Sequence, residues 1–124
     1  MENSNFKNYR FKDLEVWQLG MKIVREIYKV TKKFPKEEMF ALISQLKRAG
    51  TSIVLNIAEG SGQPTPKSFS VYLHRSKSSV LEVVSCIEIA LQEEFIDHKD
   101  VEILEAFLQE EYFKIIALEK SISR

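Results

Sequence analysis

Residues 42–66 read LISQLKRAGTSIVLNIAEGSGQPTP, and this stretch decides the fold. Its apolar residues recur every three or four positions, which is the spacing of one face of an α-helix. They are Leu42, Leu46, Ala49, Ile53 and Ile57. The pattern predicts a helix that buries one side. This helix should start at Lys36-Glu37-Glu38, where the two glutamates stabilise the positive end of the helix dipole.

The end of the same stretch predicts a stop followed by a new start. Gly60-Ser61-Gly62 ends the helix, and we expect Gly60 or Gly62 to take the left-handed conformation that helix ends favour. Thr65 as N-cap, with Pro66 in the first turn, begins a third helix. This helix should run from about Lys67 to Phe95.

Two more helices follow from the sequence on either side. Asp13 is the expected N-cap of the first helix, which Phe34-Pro35 ends because proline cannot continue a helix. Asp97 or Asp100 should cap the fourth. The inward residues expected on the third helix are Phe69, Leu73, Ser76, Val80, Val83, Ile87 and Ala90, and those on the fourth are Val101, Leu104, Leu108, Ile115 and Leu118.

The first helix carries two adjoining apolar series, so it should be buried over a wide arc. One series is Leu14, Trp17, Met21, Val24, Tyr28 and Thr31; the other is Val16, Gly20, Ile23, Ile27, Val30 and Phe34. Such an arc indicates either a central position in the fold or a second interface with another subunit.

Together these patterns predict an all-α domain, an antiparallel up-down four-helix bundle. Residues 1–12 are expected to be a flexible leader and residues 13–124 the bundle. The links between helices are short, which makes consecutive helices antiparallel neighbours. A chain of 124 residues is long enough for one independent core.

Composition favours a cytoplasmic protein. There is one cysteine, the N-terminus lacks a signal-like apolar segment, and no apolar run approaches membrane-spanning length. Residues 1–80 have 14 Lys/Arg and 7 Asp/Glu, whereas residues 81–124 have 4 and 11. This asymmetry indicates either a basic surface for nucleic acid or opposite charges that attract within the bundle or between subunits.

The sequence offers little catalytic or metal chemistry, so we predict a non-enzyme without metal or cofactor. Neither His74 nor His98 belongs to the Glu-x-x-His motif of di-iron bundles, and neither follows an arginine at the spacing of helical ribonucleases. Cys86 lies in an apolar run, as expected of a small core residue. His98 is expected to be solvated, and His74 either packed or exposed.

A polar seam lies beside the apolar face of the second helix. Spaced three and four apart, it consists of Gln45, Arg48, Ser52, Asn56 and Glu59. Polar groups in this register need hydrogen-bond partners, here expected from other helices or subunits. The seam is either a buried network that sets helix register or a surface lined for an oligomeric or nucleic-acid partner.

Four motifs resemble, in order, those of the four-helix-bundle proteins encoded in intervening sequences of bacterial 23S rRNA genes. They are Phe11-Lys12-Asp13-Leu14-Glu15-Val16-Trp17-Gln18, Phe34-Pro35-Lys36-Glu37-Glu38, Ser44-Gln45-Leu46-Lys47-Arg48-Ala49 and Ser52-Ile53-Val54-Leu55-Asn56-Ile57-Ala58-Glu59-Gly60. The resemblance covers the first three helices. The chain departs from the family pattern at three positions. Gln63 stands where a basic residue is usual, Lys47 where an arginine is usual, and Ser78 where a glycine is usual.

The resemblance implies a ring-shaped homopentamer and kinship with the accessory protein of diversity-generating retroelements. That relative forms a basic barrel that works with a reverse transcriptase and nucleic acid. The signature residues to which the resemblance gives a part in fold and assembly are Trp17, Gln45, Arg48, Asn56, Glu59 and Gly60.

The leading functional prediction is therefore a non-catalytic, homo-oligomeric accessory protein that binds RNA, DNA or a ribonucleoprotein, or a reverse transcriptase-like protein. A basic stripe on the first helix and its neighbours on the second would contact phosphates without reading sequence. The candidates are Lys22, Arg25, Lys29, Lys32, Lys33, Lys47 and Arg48. The alternative is a protein-interaction scaffold that binds no nucleic acid.

Overall fold

The computed structural model describes residues 9–123 and confirms the all-α four-helix bundle. The four helices are α1 (Glu15–Val30), α2 (Leu42–Ser61), α3 (Pro66–Gln92) and α4 (Glu102–Ile122). Short 3-10 turns precede or link them at Arg10–Asp13, Thr31–Lys33, Lys36–Glu38 and His98–Val101. Of the flexible leader predicted for residues 1–12, residues 1–8 lie outside the described residues.

Each helix packs against two others, and all neighbouring pairs are antiparallel. α1 contacts α2 and α4, and α3 contacts the same two helices. Side-chain pairs mark the register: Gln45 of α2 bonds Glu82 of α3, and Lys77 of α3 bonds Glu119 of α4. The core runs along the axis between the four helices.

The predicted inward faces are confirmed on α3, where every expected residue is buried, and nearly so on α4, where Leu118 alone is partly exposed. On α1 the two series separate. The series from Val16 to Phe34 is buried, whereas Met21 and Tyr28 of the other series are exposed. α1 is therefore not central; its second apolar series is half open to solvent.

The expected left-handed glycine at the end of α2 is wrong. No glycine among the described residues has a positive φ, and Gly62 has φ −88°. Gly60 instead permits close packing, because a Cβ there would lie 2.7 Å from the Cβ of Tyr72 and 2.9 Å from Cδ1 of Phe69. Ser76 of α3 adds a buried hydrogen bond to the carbonyl oxygen of Ile53, 2.8 Å away.

Two predicted helix starts need correction. Leu14, not Asp13, is the N-cap of α1, because Asp13 belongs to the preceding 3-10 turn. That turn is held in place by Phe11, whose ring packs on Trp17 with centroids 5.2 Å apart. Lys36–Glu38 likewise form a separate 3-10 turn, so that α2 begins later, at Leu42.

Hydrogen-bonded capping motifs lie at both ends of α3 and just before α4. Thr65 and Ser68 form a reciprocal capping box at the start of α3, which confirms the predicted cap. Asp97 and Asp100 form another, but it caps the 3-10 turn before α4, and the N-cap of α4 itself is Val101. α3 ends at a Schellman motif in which Glu94 has φ 61°.

Replacing Glu94 with glycine should stabilise the fold. A side chain at this left-handed position costs about 1 kcal/mol, which glycine relieves while keeping both hydrogen bonds of the motif. Urea unfolding of Glu94→Gly should therefore give a higher free energy of unfolding than the parent chain. Glu93→Gly is the control, because φ is −82° there; equal gains in both variants would contradict the explanation.

Candidate nucleic-acid interface

Four basic side chains share the outer side of α1. Lys22, Arg25, Lys29 and Lys32 are exposed and line one shallow groove together with Met21, Val24 and Tyr28. Lys47 of α2 joins them, since its Nζ lies 4.6 Å from the centre of the Tyr28 ring. These five cations, called here the basic surface, stand on the α1–α2 side of the bundle.

Most of the basic surface is free of acidic partners. Lys29 pairs with Glu26 at 3.3 Å, but no ion pair within residues 9–123 engages Lys22, Arg25 or Lys32. Unpaired charges at helical spacing can approach several phosphates at once at little desolvation cost. The groove is therefore suited to an extended polyanion.

The other two predicted cations lie elsewhere. Lys33 pairs with Asp100 at the end of the bundle, and this hydrogen bond raises the pKa of Lys33 and lowers the pKa of Asp100. Arg48 belongs to the polar seam of α2 and does not line the groove; its Nη2 lies 3.5 Å from Oγ of Ser44. The structure thus brings together five of the seven candidates.

The polar seam runs along the open edge between α2 and α3. Ser52 accepts hydrogen bonds from Ser79 at 2.8 Å and from Asn56 at 2.9 Å, and Gln45 donates to Glu82. Gln45, Arg48 and Glu59 are exposed. The interpretation as a buried network is therefore wrong for these three residues within one chain, and partners from other helices reach only part of the seam.

Sequence reasoning missed a buried acid, Glu111, in the inward face of α4. Its side chain is 0% exposed and neither carboxyl oxygen has a hydrogen-bond partner among the described residues. It faces Gly20 of α1, where a Cβ would lie 3.1 Å from Oε2. The signal was present: position 111 falls between Leu108 and Ile115 in the apolar spacing.

Burial dominates the chemistry of Glu111. Desolvation raises its pKa from 4.5 to about 8; Lys114 lowers the pKa in part and Glu110 raises it. Lys114 gives little help because it already bonds Glu110 at 2.9 Å and Glu15 at 3.1 Å. Glu111 is therefore mostly a neutral acid at neutral pH.

The remaining candidate groups do not converge. His74 and His98 are both exposed, and Cys86 is buried, with its thiol pKa raised by burial and by Glu82. No group of three or more His, Cys, Asp or Glu side chains suited to a metal ion occurs within residues 9–123. None of the helices in that range is long and apolar enough to cross a lipid bilayer.

The sequence matches one protein family over most of its length. A sequence model of the 23S rRNA-intervening sequence proteins matches residues 12–117, a range that includes every candidate residue named above. The chain belongs to the 23S rRNA-intervening sequence protein family. No match to this member was found among curated proteins.

A solved structure has the same fold as this intervening-sequence protein. It is a protein of unknown function of the S23 ribosomal protein family from Bacteroides thetaiotaomicron VPI-5482. The two chains share 22% sequence identity with a TM-score of 0.78, over 85% of this chain and 98% of the other. The similarity shows that the two chains share the four-helix fold.

The buried acid should make stability depend on pH. The unfolded carboxyl ionises near pH 4.5, whereas the folded one stays protonated to about pH 8. The unfolded state therefore loses its proton first, and between these values the free energy of unfolding should fall by about 1.4 kcal/mol per pH unit from this group.

Glu111→Gln should remove this dependence, because a neutral amide of the same shape has no proton to lose. Urea unfolding from pH 4.5 to 8 would measure it. The control is Glu102→Gln, an exposed acid of the same helix that does not contribute to the pKa shift of Glu111, and it should keep the parental slope. A parental slope in Glu111→Gln would show that the buried acid is not the cause.

Proposed function

We propose that this member of the intervening-sequence family is a non-catalytic, homo-oligomeric accessory protein of the cytoplasm that binds nucleic acid or a ribonucleoprotein. The observation that carries the proposal is the basic surface. Lys22, Arg25, Lys29 and Lys32 line one shallow groove, and Lys47 of α2 lies over the ring of Tyr28 in that groove. These cations lie close together around one groove, whereas the lysines of an ordinary solvated helix face are scattered.

The proposed contact is to the phosphate backbone. Lys22, Arg25, Lys29 and Lys32 follow one another at three- and four-residue steps, so they form a line of about three turns along α1 and the 3-10 turn after it. Side chains in such a line neutralise successive phosphates and carry no base-reading geometry. Tyr28 lies in the same groove and offers a ring on which an unpaired base can stack.

Self-assembly is the second part of the proposal. A homopentamer, as the family resemblance implies, would repeat the basic surface around a ring and multiply a weak single contact. In that setting the protein would work beside a nucleic-acid enzyme, in the manner of the retroelement accessory protein. The open polar seam supports the idea of a neighbouring subunit, because Arg48 and Glu59 are exposed.

A protein-binding scaffold is the alternative, and one observation favours it. Met21 and Tyr28 expose apolar surface within the same groove, and apolar contacts respond little to moderate salt. Association with a partner that is insensitive to salt would support the scaffold.

Binding to a fluorescent single-stranded rRNA fragment and to a matched duplex DNA should separate the two functions. If four cations contact phosphates, the logarithm of RNA affinity should fall with the logarithm of salt concentration with a slope of about −3. Lys22→Glu/Lys29→Glu should weaken binding and reduce that slope by about half.

A charge reversal away from the basic surface provides the control. Lys120 is exposed near the end of α4, and Lys120→Glu should leave both affinity and slope near parental values. Equal losses in the two variants would indicate a general charge effect, and a chain that binds neither RNA nor DNA at low salt would exclude the nucleic-acid function.

A further inference from the structure

An apolar groove lies between α3 and α4, around the corner of the bundle from the polar seam. It has a volume of about 240 Å³, and its floor includes Val80, Ile87 and Leu108. Its walls are exposed apolar side chains, of which Phe113 is 60% exposed and Leu81 52%. No described part of the chain covers it, so water contacts a sizeable apolar area.

The rim of this α3–α4 groove is acidic. Glu88 of α3 and Glu105 of α4 stand at its edges, and both are exposed. Glu88 is seven residues after Leu81, which places the acid about two turns along the helix from the apolar wall. An occupant that fits would carry an apolar side chain and a cation at the same separation.

The outer face of α2 has this arrangement. Leu55 is 58% exposed although large and apolar, and Arg48 is exposed seven residues before it. Ser52 lies between them in the polar seam. The spacing of Arg48 and Leu55 on α2 therefore equals that of Glu88 and Leu81 on α3.

We infer that the outer face of α2 in one copy docks into the α3–α4 groove of a second copy of this chain. Leu55 fills the apolar space beside Leu81 and Phe113, and Arg48 meets Glu88 at the rim. With these pairs aligned, the docked α2 runs antiparallel to α3 of its partner, as α2 and α3 run within one chain. The inference rests on the self-assembly part of the proposed function and supplies its interface.

Two observations support a second copy of the chain as the partner that fills the groove: the charges of the two surfaces, and the fact that the two surfaces are different. The groove belongs to the half of the chain with excess acid, and Arg48 to the half with excess base. The contact joins two different surfaces head to tail, so each copy can bind two neighbours and more than two copies can assemble. None of the five cations of the basic surface is among the residues of this contact, which keeps assembly compatible with nucleic-acid binding.

Sedimentation velocity of the full chain tests the interface. The parent should sediment as an assembly larger than the 14.4 kDa single chain. Leu55→Asp and Phe113→Asp should each shift the mass to that of one chain, because a carboxylate would be buried in the apolar contact. The control is Ile103→Asp on the α1 side of α4, where the side chain is 57% exposed, and it should keep the parental mass.

Exchanging the two charges of the proposed Arg48–Glu88 pair distinguishes loss of the interface from misfolding, because a misfolded chain would not regain self-association in the double variant. Arg48→Glu and Glu88→Arg should each weaken self-association by about tenfold or more, and the double variant Arg48→Glu/Glu88→Arg should recover most of it. A parent that sediments as one chain, a parental mass in Leu55→Asp, or no recovery in the double variant would overturn the interface.

The outcome is separable from nucleic-acid binding. A parent that assembles but binds no RNA leaves the interface standing and removes the nucleic-acid function. A parent that stays a single chain yet binds RNA with the expected salt slope removes the interface and leaves that function.

Discussion

The close approach of α2 and α3 is the constraint on which the rest of the bundle depends. At one end Gly60 has no side chain, so Phe69 and Tyr72 can press against the α2 backbone. Two turns before Gly60 on α2, the carbonyl oxygen of Ile53 accepts a hydrogen bond from the hydroxyl of Ser76 inside the core. These small residues bring two long helices together over most of their length. Their separation sets where α1 and α4 can lie on either side.

The functional surfaces follow from that packing. Because the α3-facing side of α2 is occupied by small and polar contacts, Arg48, Leu55 and Glu59 are left on the outside. The opposite edge of α2 brings Lys47 over Tyr28 of α1, which gathers the cations of the two helices on one side. Acidic residues collect on α4 and on the C-terminal half of α3 instead. A chain with no net charge thus presents two surfaces of opposite sign.

Much of this fold could be predicted from the sequence, because apolar spacing reports directly which side of a helix is buried. The inward positions of α3 were predicted in this way. The cap at Thr65 was predicted from local hydrogen-bonding chemistry, which the residue type reports directly. Gly60 could not be understood in the same way, since a glycine needed for a left-handed turn and one needed for close packing look alike in sequence. Glu111 was missed because a charged residue between apolar positions is ordinarily placed on the flank of the stripe. The gathering of Lys47 with the α1 cations depended on how two helices face each other, which no single helix pattern specifies.

The order of the helices also has a consequence for how the chain folds. Three of the four helix–helix interfaces join elements that are consecutive in sequence, so each requires only a short loop to close. The contact of α1 with α4 is different: Glu15 and Lys114 are 99 residues apart. Bringing such distant segments together costs more chain entropy than closing a hairpin, and nothing in the local sequence nucleates it. Glu111 occupies this interface without a hydrogen-bond partner among the described residues, so the interface with the longest loop to close also carries an unpaired acid. We therefore expect the interface between the first and last helices to limit the rate at which the bundle folds.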